Sequence, residues 1–127
     1  MFKKNHIHFQ FKRGEVKITH IETDKFLVRT CAALAHPRTL MGDFFAIEGC
    51  LKEALAEILP RKSFSLAPIG IAQFLDMTEG GMTNVEIRAF REAILGAGTR
   101  QVYFPESTAM MSKSQLLALN FKQLPSA

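Results

Sequence analysis

The chain has 127 residues, 47% of them hydrophobic and 22% charged, with 11 phenylalanines and a net charge of +4. That is the length of one domain with a core-forming composition, which excludes a disordered chain. No apolar run approaches the roughly 20 residues that span a bilayer. The opening MFKKNHIHFQFKRGE has no apolar core segment or small-residue cleavage site, so a secretion signal is not expected and a cytoplasmic location is.

The first elements are strands. HIHFQF, 6–11, alternates through Ile7, Phe9 and Phe11, the period of a half-buried strand, and residues 12–15 form a turn. VKITHI, 16–21, alternates again, a turn follows at 23–25, and 26–34 reads as a third strand. Short connections make these an antiparallel meander.

Residues 36–43 read as a loop, and Asp43 stands where a helix N-cap belongs. Phe44, Ile47, Leu51, Ala54, Leu55 and Ile58 then recur at helical spacing until Pro60. A fourth strand is expected over 69–75 and a turn over 78–81. A second helix over about 83–95 stops at Gly96-Ala97-Gly98. Its apolar arc is Val85, Ala89, Phe90, Ala93, Ile94 and Ala97, with Glu86 in the middle. Because Glu86 lies three residues after Thr83, it is expected to close a capping box. QVYFPE, 101–106, reads as a fifth strand, and 107–121 as a third helix capped by Ser107.

The predicted order β-β-β-α-β-α-β-α gives a single α/β domain over 1–127, a mixed five-stranded sheet with helices on its faces. No internal repeat or linker divides it.

Chemistry-bearing residues are sparse. Cys31 and Cys50 are the only cysteines, and without an export signal they are expected as reduced, partly buried thiols. Neither stands beside a helix start, where a thiol would be activated. His6 and His8 share one strand face, but a His-x-His pair without a third ligand at useful spacing is expected to be solvent-facing rather than a metal site. The charge excess sits in residues 1–20, where Lys3, Lys4, Lys12, Arg13 and Lys17 face Glu15 alone. Lys12, Arg13 and Lys17 are the candidate basic patch for nucleic acid or an anionic surface. The expected reading is a solvated strand edge, where lysines discourage unwanted pairing.

The stretch TNVEIRAFREAILGAGTRQV resembles the family of bacterial actin-like rod-shape-determining (MreB-like) proteins. That family carries T-x-V-E-R-R-A-x-R-E, then G-A-G-A-R-x-V, and here Thr83, Val85, Glu86, Arg88, Ala89, Arg91, Glu92, Gly96, Ala97, Gly98, Arg100 and Val102 stand at those positions. Asp43-Phe44 resembles the family's A-D-F. The resemblance implies a ribonuclease-H-like core, the first half of an actin-like ATPase.

It also implies a degenerate nucleotide site. The family's D-x-G-T phosphate loop falls on Phe9 and Phe11, and phenylalanine neither holds Mg²⁺ through water nor lets backbone N–H groups approach phosphate. The family's catalytic glutamate falls at Ser107, or at Glu106 with a one-residue shift. A ribonuclease-type two-metal site would use Asp76 and Glu79 but meets Phe9 on the first strand. The family's second phosphate loop and second half have no counterpart in the chain. The inserted subdomain is cut down to 35–42. The expectation is therefore no ATP, no other cofactor and no catalysis. A protein partner or self-association is expected instead, with a link to cell shape that the resemblance alone implies. The candidate interface is the apolar stripe Met110, Met111, Leu116, Leu117 and Leu119.

Overall fold

A computed structural model describes residues 4–36, 39–60, 66–76, 81–125 and 127. The predicted turn residues Thr78, Glu79 and Gly80 lie outside the described residues, as do Lys3, Pro37 and Arg38. The chain forms a small mixed α/β domain. Its strands are β1 (His6–Lys12), β2 (Glu15–His20), β3 (Lys25–Thr30), β4 (Ile69–Phe74) and β5 (Gln101–Tyr103), and its helices are α1 (Phe44–Ile58), α2 (Asn84–Ala97) and α3 (Lys113–Leu117). The sheet order is β3-β2-β1-β4-β5. β1 is antiparallel to β2 and β2 to β3, whereas β4 runs parallel to β1 and β5 parallel to β4.

Period-two alternation sends Ile7, Phe9 and Phe11 of β1 to one face with Val16, Ile18, Ala72, Phe74 and Val102. There they meet Ile47, Leu51, Ala54 and Leu55 of α1 and Ile87, Phe90, Ala93 and Ile94 of α2. The centre is aromatic: the Phe11, Phe74 and Phe90 rings lie 5.5, 4.9 and 4.8 Å apart pairwise. Burying each of these side chains contributes roughly 1.5–3 kcal/mol. Gly70 lets this packing close, since a Cβ there would stand 3.2–3.3 Å from Ile94, Phe9 and Thr99.

Several boundaries differ from the sequence expectation. β3 ends at Thr30 rather than running to 34, and a 3-10 turn covers Ala32–Ala35. The reason is its neighbour: β2 begins at Glu15 opposite Thr30, and Cys31 N–H is taken by the turn carbonyl of Gly14. The third helix starts at Lys113 with Ser112 as its cap, not at Ser107. The Ser107 hydroxyl accepts from its neighbour Ala109 N–H, and the Ser107 and Ala109 carbonyls accept from the Gln73 side chain instead of from a helical turn. β5 stops before Pro105, which forms only an isolated bridge with Gln123.

In α2 the buried stripe includes Ile87 and leaves Val85 exposed, because Val85 lies in the first turn, off the face that Ile87, Phe90 and Ile94 present to the sheet. Its start matches the expectation. Thr83 Oγ1 accepts from Glu86 N–H at 3.1 Å, and Glu86 Oε1 accepts from Thr83 N–H at 3.0 Å. Replacing Thr83 by alanine is expected to lower stability by about 1 kcal/mol, which shifts the thermal midpoint by about 4 °C in a domain of this size.

The cysteines are a correction. Cys31 and Cys50 form a disulfide, not free thiols, and no described cysteine is free. The fold brings the end of β3 beside α1 with the two Cα atoms 6.5 Å apart, within bonding reach. Spacing along the chain could not reveal that approach.

Candidate interaction surface

The second face of the sheet divides into a covered half and a bare half. Over β1, β4 and β5 lies the C-terminal segment, where Met111 and Leu116 join Ile21 and Ile71 in a second buried cluster. Leu117, Leu119 and Phe121 are half-buried against it. Of the predicted stripe, Met110 alone is fully in solvent, at 96% exposed. The structure therefore brings Met111, Leu116, Leu117 and Leu119 together as a cover over the sheet.

Under this cover sits a polar inlay. Gln73 is 0% exposed. Its Nε2 donates to the carbonyls of Ser107 at 3.0 Å and Ala109 at 2.7 Å. Its Oε1 lies 2.9 Å from His8 Nε2 and also accepts from Gln10 Nε2 at 3.4 Å. With both amide protons given to carbonyls, the oxygen can only accept, so His8 must carry its proton on Nε2. Burial pushes the His8 pKa down from 6.5 to about 4; the Gln73 hydrogen bond opposes this and the Lys17 charge adds to it. His8 is thus a neutral, structural imidazole.

This corrects the expectation that His6 and His8 face solvent: both are buried, as is His20. His6 Nδ1 lies 2.6 Å from Glu22 Oε2, and Glu22 Oε1 accepts from the His6 backbone N–H at 2.8 Å. His20 bonds Thr23 Oγ1 and Asn5 Oδ1 at 2.7 and 2.8 Å. These partners come from the turn after β2 and the chain before β1, which fold back over the strand ends. Among the described residues, no three His, Cys, Asp or Glu side chains could together hold a metal ion.

The same segment runs beside the chain that leaves β5. Beyond β5, Leu124 N–H donates to Phe104 O, Glu106 N–H donates to Lys122 O, and Gln123 Oε1 accepts from Phe104 N–H. Among the described residues the opposite edge strand, β3, pairs with β2 alone. Register puts Phe26 beside Thr19, and Val28 beside Lys17, on the bare half of the second face. Phe26 is 62% and Val28 51% exposed, and Lys17 Nζ lies 4.6 Å above the Phe26 ring. On the other side of β3, a shallow groove is lined by Asp24, Lys25, Phe26, Leu27, Glu57, Ile58 and Pro60. Of its carboxylates, Glu57 pairs with the Arg29 guanidinium and Asp24 with Lys113. No described segment covers this edge, and it is the candidate surface.

The sequence reading missed Phe26 and Val28 because it gave the third strand a range and assigned none of its residues to a face. The signal was present: Phe26, Val28 and Thr30 alternate with Leu27 and the charged Arg29, as in a strand with two unlike faces. Gln73 also had a signal, one amide inside the apolar run IGIAQF.

The other singled-out residues are dispersed. Lys12 and Lys17 are exposed on the second face, while Arg13 is in the turn with its guanidinium donating to the His36 carbonyl and its N–H donating to Asp76 at 3.0 Å. Phe9 and Phe11 are fully buried. Glu106 and Ser107 are exposed beyond β5. Glu86 accepts a further hydrogen bond from Thr39. Burial pushes its carboxyl upward, but the bonds from Thr39 and Thr83 together outweigh this and hold it below the usual carboxylate value.

No protein-family model matches the chain. It is 28% identical over 121 residues to the uncharacterized protein YjaA of Escherichia coli strain K12, an alignment covering 89% of this chain and 94% of that protein. Among the described residues, no helix is long and apolar enough to cross a membrane.

Proposed function

We propose that the chain is a non-catalytic module that works by associating with protein, through the β3 edge and the bare half-face beside it. The observation that carries this is an asymmetry. Half of the second face is covered by the chain's own C-terminal segment, and the part that no described segment covers holds the exposed Phe26 and Val28. Open edges with apolar side chains are the usual sites of strand addition and self-pairing.

The strand order β3-β2-β1-β4-β5 supports a ribonuclease-H-like core. The MreB-like resemblance, and any role in cell shape, rests on residues 83–102. The non-catalytic reading is supported by Phe9 and Phe11, which pack into the core where that resemblance puts an aspartate and a glycine. ATP with Mg²⁺ is expected to leave the melting temperature unchanged; a rise overturns the no-nucleotide reading, because ligand stabilises the state that binds it.

The association reading is tested by placing a photoreactive residue at Val28, and at the exposed Lys52 of α1 as a control, in cells expressing the protein. Crosslinked species are expected from position 28 and not from 52. Their absence at both positions sinks the reading. Retention of the purified chain on DNA or RNA, lost when Lys12, Arg13 and Lys17 become glutamate, would replace it with a nucleic-acid role. A cytoplasmic location would make Cys31 and Cys50 a thiol pair that opens and closes, while an oxidising compartment would keep the bond shut. Alkylating free thiols in intact cells before lysis separates the two.

A further inference from the structure

The structure assigns Cys50, and not Cys31, as the sulfur at which a low-molecular-weight thiol enters the Cys31–Cys50 bond. The product is a mixed disulfide on α1, a modification site that does not depend on the association reading.

The two halves of the bond have unlike surroundings. Cys31 is 5% exposed and belongs to the main core cluster. Its backbone is held on both sides, the N–H donating to Gly14 O and the carbonyl accepting from Leu34 N–H. Cys50 is only half-buried. Residues three and four positions away share its side of the helix. Of these, Ile47 and Ala54 turn inward while Ala46 and Glu53 are exposed, so Cys50 stands on the rim of α1. The adjoining Gly49 is exposed too, and a Cβ built on it would meet no atom within 4 Å. The helix is open beside this sulfur.

Thiol–disulfide exchange is a displacement in which a thiolate attacks one sulfur and the other departs, so access to the attacked sulfur decides where it occurs. The attacker comes in opposite the departing sulfur. Attack on Cys31 would have to pass through the core that packs around it, whereas Cys50 is reached over the rim of α1. The incoming thiolate bonds to the Cys50 sulfur, the Cys31–Cys50 bond breaks, and the electron pair leaves on the Cys31 sulfur, which takes a proton from solvent. One disulfide replaces another, and no further oxidant or reductant is consumed. Cys31 is then a thiol among apolar side chains, where the reactive thiolate is disfavoured. It turns back slowly on the adduct, although the two Cα atoms are 6.5 Å apart. The small thiol therefore stays on Cys50.

The test uses the native protein with its bond formed and reduced glutathione as the probe. Free thiols are alkylated in denaturant after a short exposure, and trypsin then places Cys31 in residues 30–38 and Cys50 in 39–52. Glutathione is expected on 39–52 and the alkyl group on 30–38, on the order of tenfold more often than the reverse. Equal amounts, or an excess of the reverse isomer, overturn the assignment. So do two alkylated cysteines with no glutathione adduct at any time. Single variants give an independent reading, since Leu34, Ile47 and Leu51 still pack without the bond. With oxidised glutathione, folded Cys31→Ser should take the adduct at Cys50 about ten times faster than folded Cys50→Ser takes it at Cys31. Equal rates in the two variants overturn the assignment as well.

Discussion

Lowering the pH from 7 to 4.5 is expected to remove about 2 kcal/mol of stability through His8 alone. Folded His8 titrates near 4 instead of at 6.5 because it is buried. A base whose folded pKa is depressed contributes its full stability above the unfolded pKa. As pH falls below 6.5, the unfolded chain takes up a proton that the folded chain refuses, and the loss levels off only below about 4. A gap of this size corresponds to roughly 3 kcal/mol at the acid limit. The measurement is a difference between two proteins, so that everything except this one group cancels. Urea unfolding of the parent and of His8→Gln, at pH 7 and 4.5, isolates the one group. A glutamine amide can still donate to Gln73 Oε1 but carries no titrating proton, so the variant should lose less stability on acidification. Parallel losses in the two proteins would show that His8 is not held neutral. The imidazole signals of His8 in NMR should likewise show no titration until pH approaches 4.

Reducing the Cys31–Cys50 bond is expected to destabilise the domain by about 3 kcal/mol, from the chain-entropy relation for a loop of this length. The cysteines are 19 residues apart and enclose the 3-10 turn, Asp43 and the first half of α1. Opening the bond lets this segment roam in the unfolded state while leaving the packing of Leu34, Ile47 and Leu51 in place. Native far-ultraviolet circular dichroism should therefore survive reductant while the urea midpoint falls. The double variant with both cysteines changed to serine should match the reduced parent and ignore reductant. If reduced protein, with two free thiols by mass, unfolds at the parent's midpoint, the bond contributes nothing to stability.

The sequence carries the features that depend on near neighbours. Asp43 caps α1 and Thr83 with Glu86 caps α2 because capping is settled within three residues, and both are visible in the text of the chain. The inward phenylalanines of β1 follow from alternation alone. What the sequence hides depends on partners far along it. His8 looks like a surface histidine until Gln73, 65 residues away, is known to face it. Ser107 looks like a helix cap until Gln73 draws its carbonyl away from the helical path, 34 residues across the fold. The candidate surface is hidden for the opposite reason. The alternation of Phe26 and Val28 marks a second strand face, but which half of the sheet the C-terminal segment covers, and that no described segment covers theirs, is seen in the fold.

The Gln73 amide has a consequence for the order in which the protein is made. β4 leaves the ribosome before residues 107–124, and β1 is already waiting to pair with it. At that moment Gln73 has His8 and Gln10 for its oxygen, but no acceptors for its two protons except water. An amide left unpaired as the sheet closes costs about 1–3 kcal/mol, so the nascent sheet keeps that face wet. Only when the carbonyls of Ser107 and Ala109 arrive can water leave and Met111 and Leu116 settle beside Ile71. The C-terminal segment thus acts as a latch, and a ribosome stalled before it would hold a sheet whose middle strands are joined but whose back is still open.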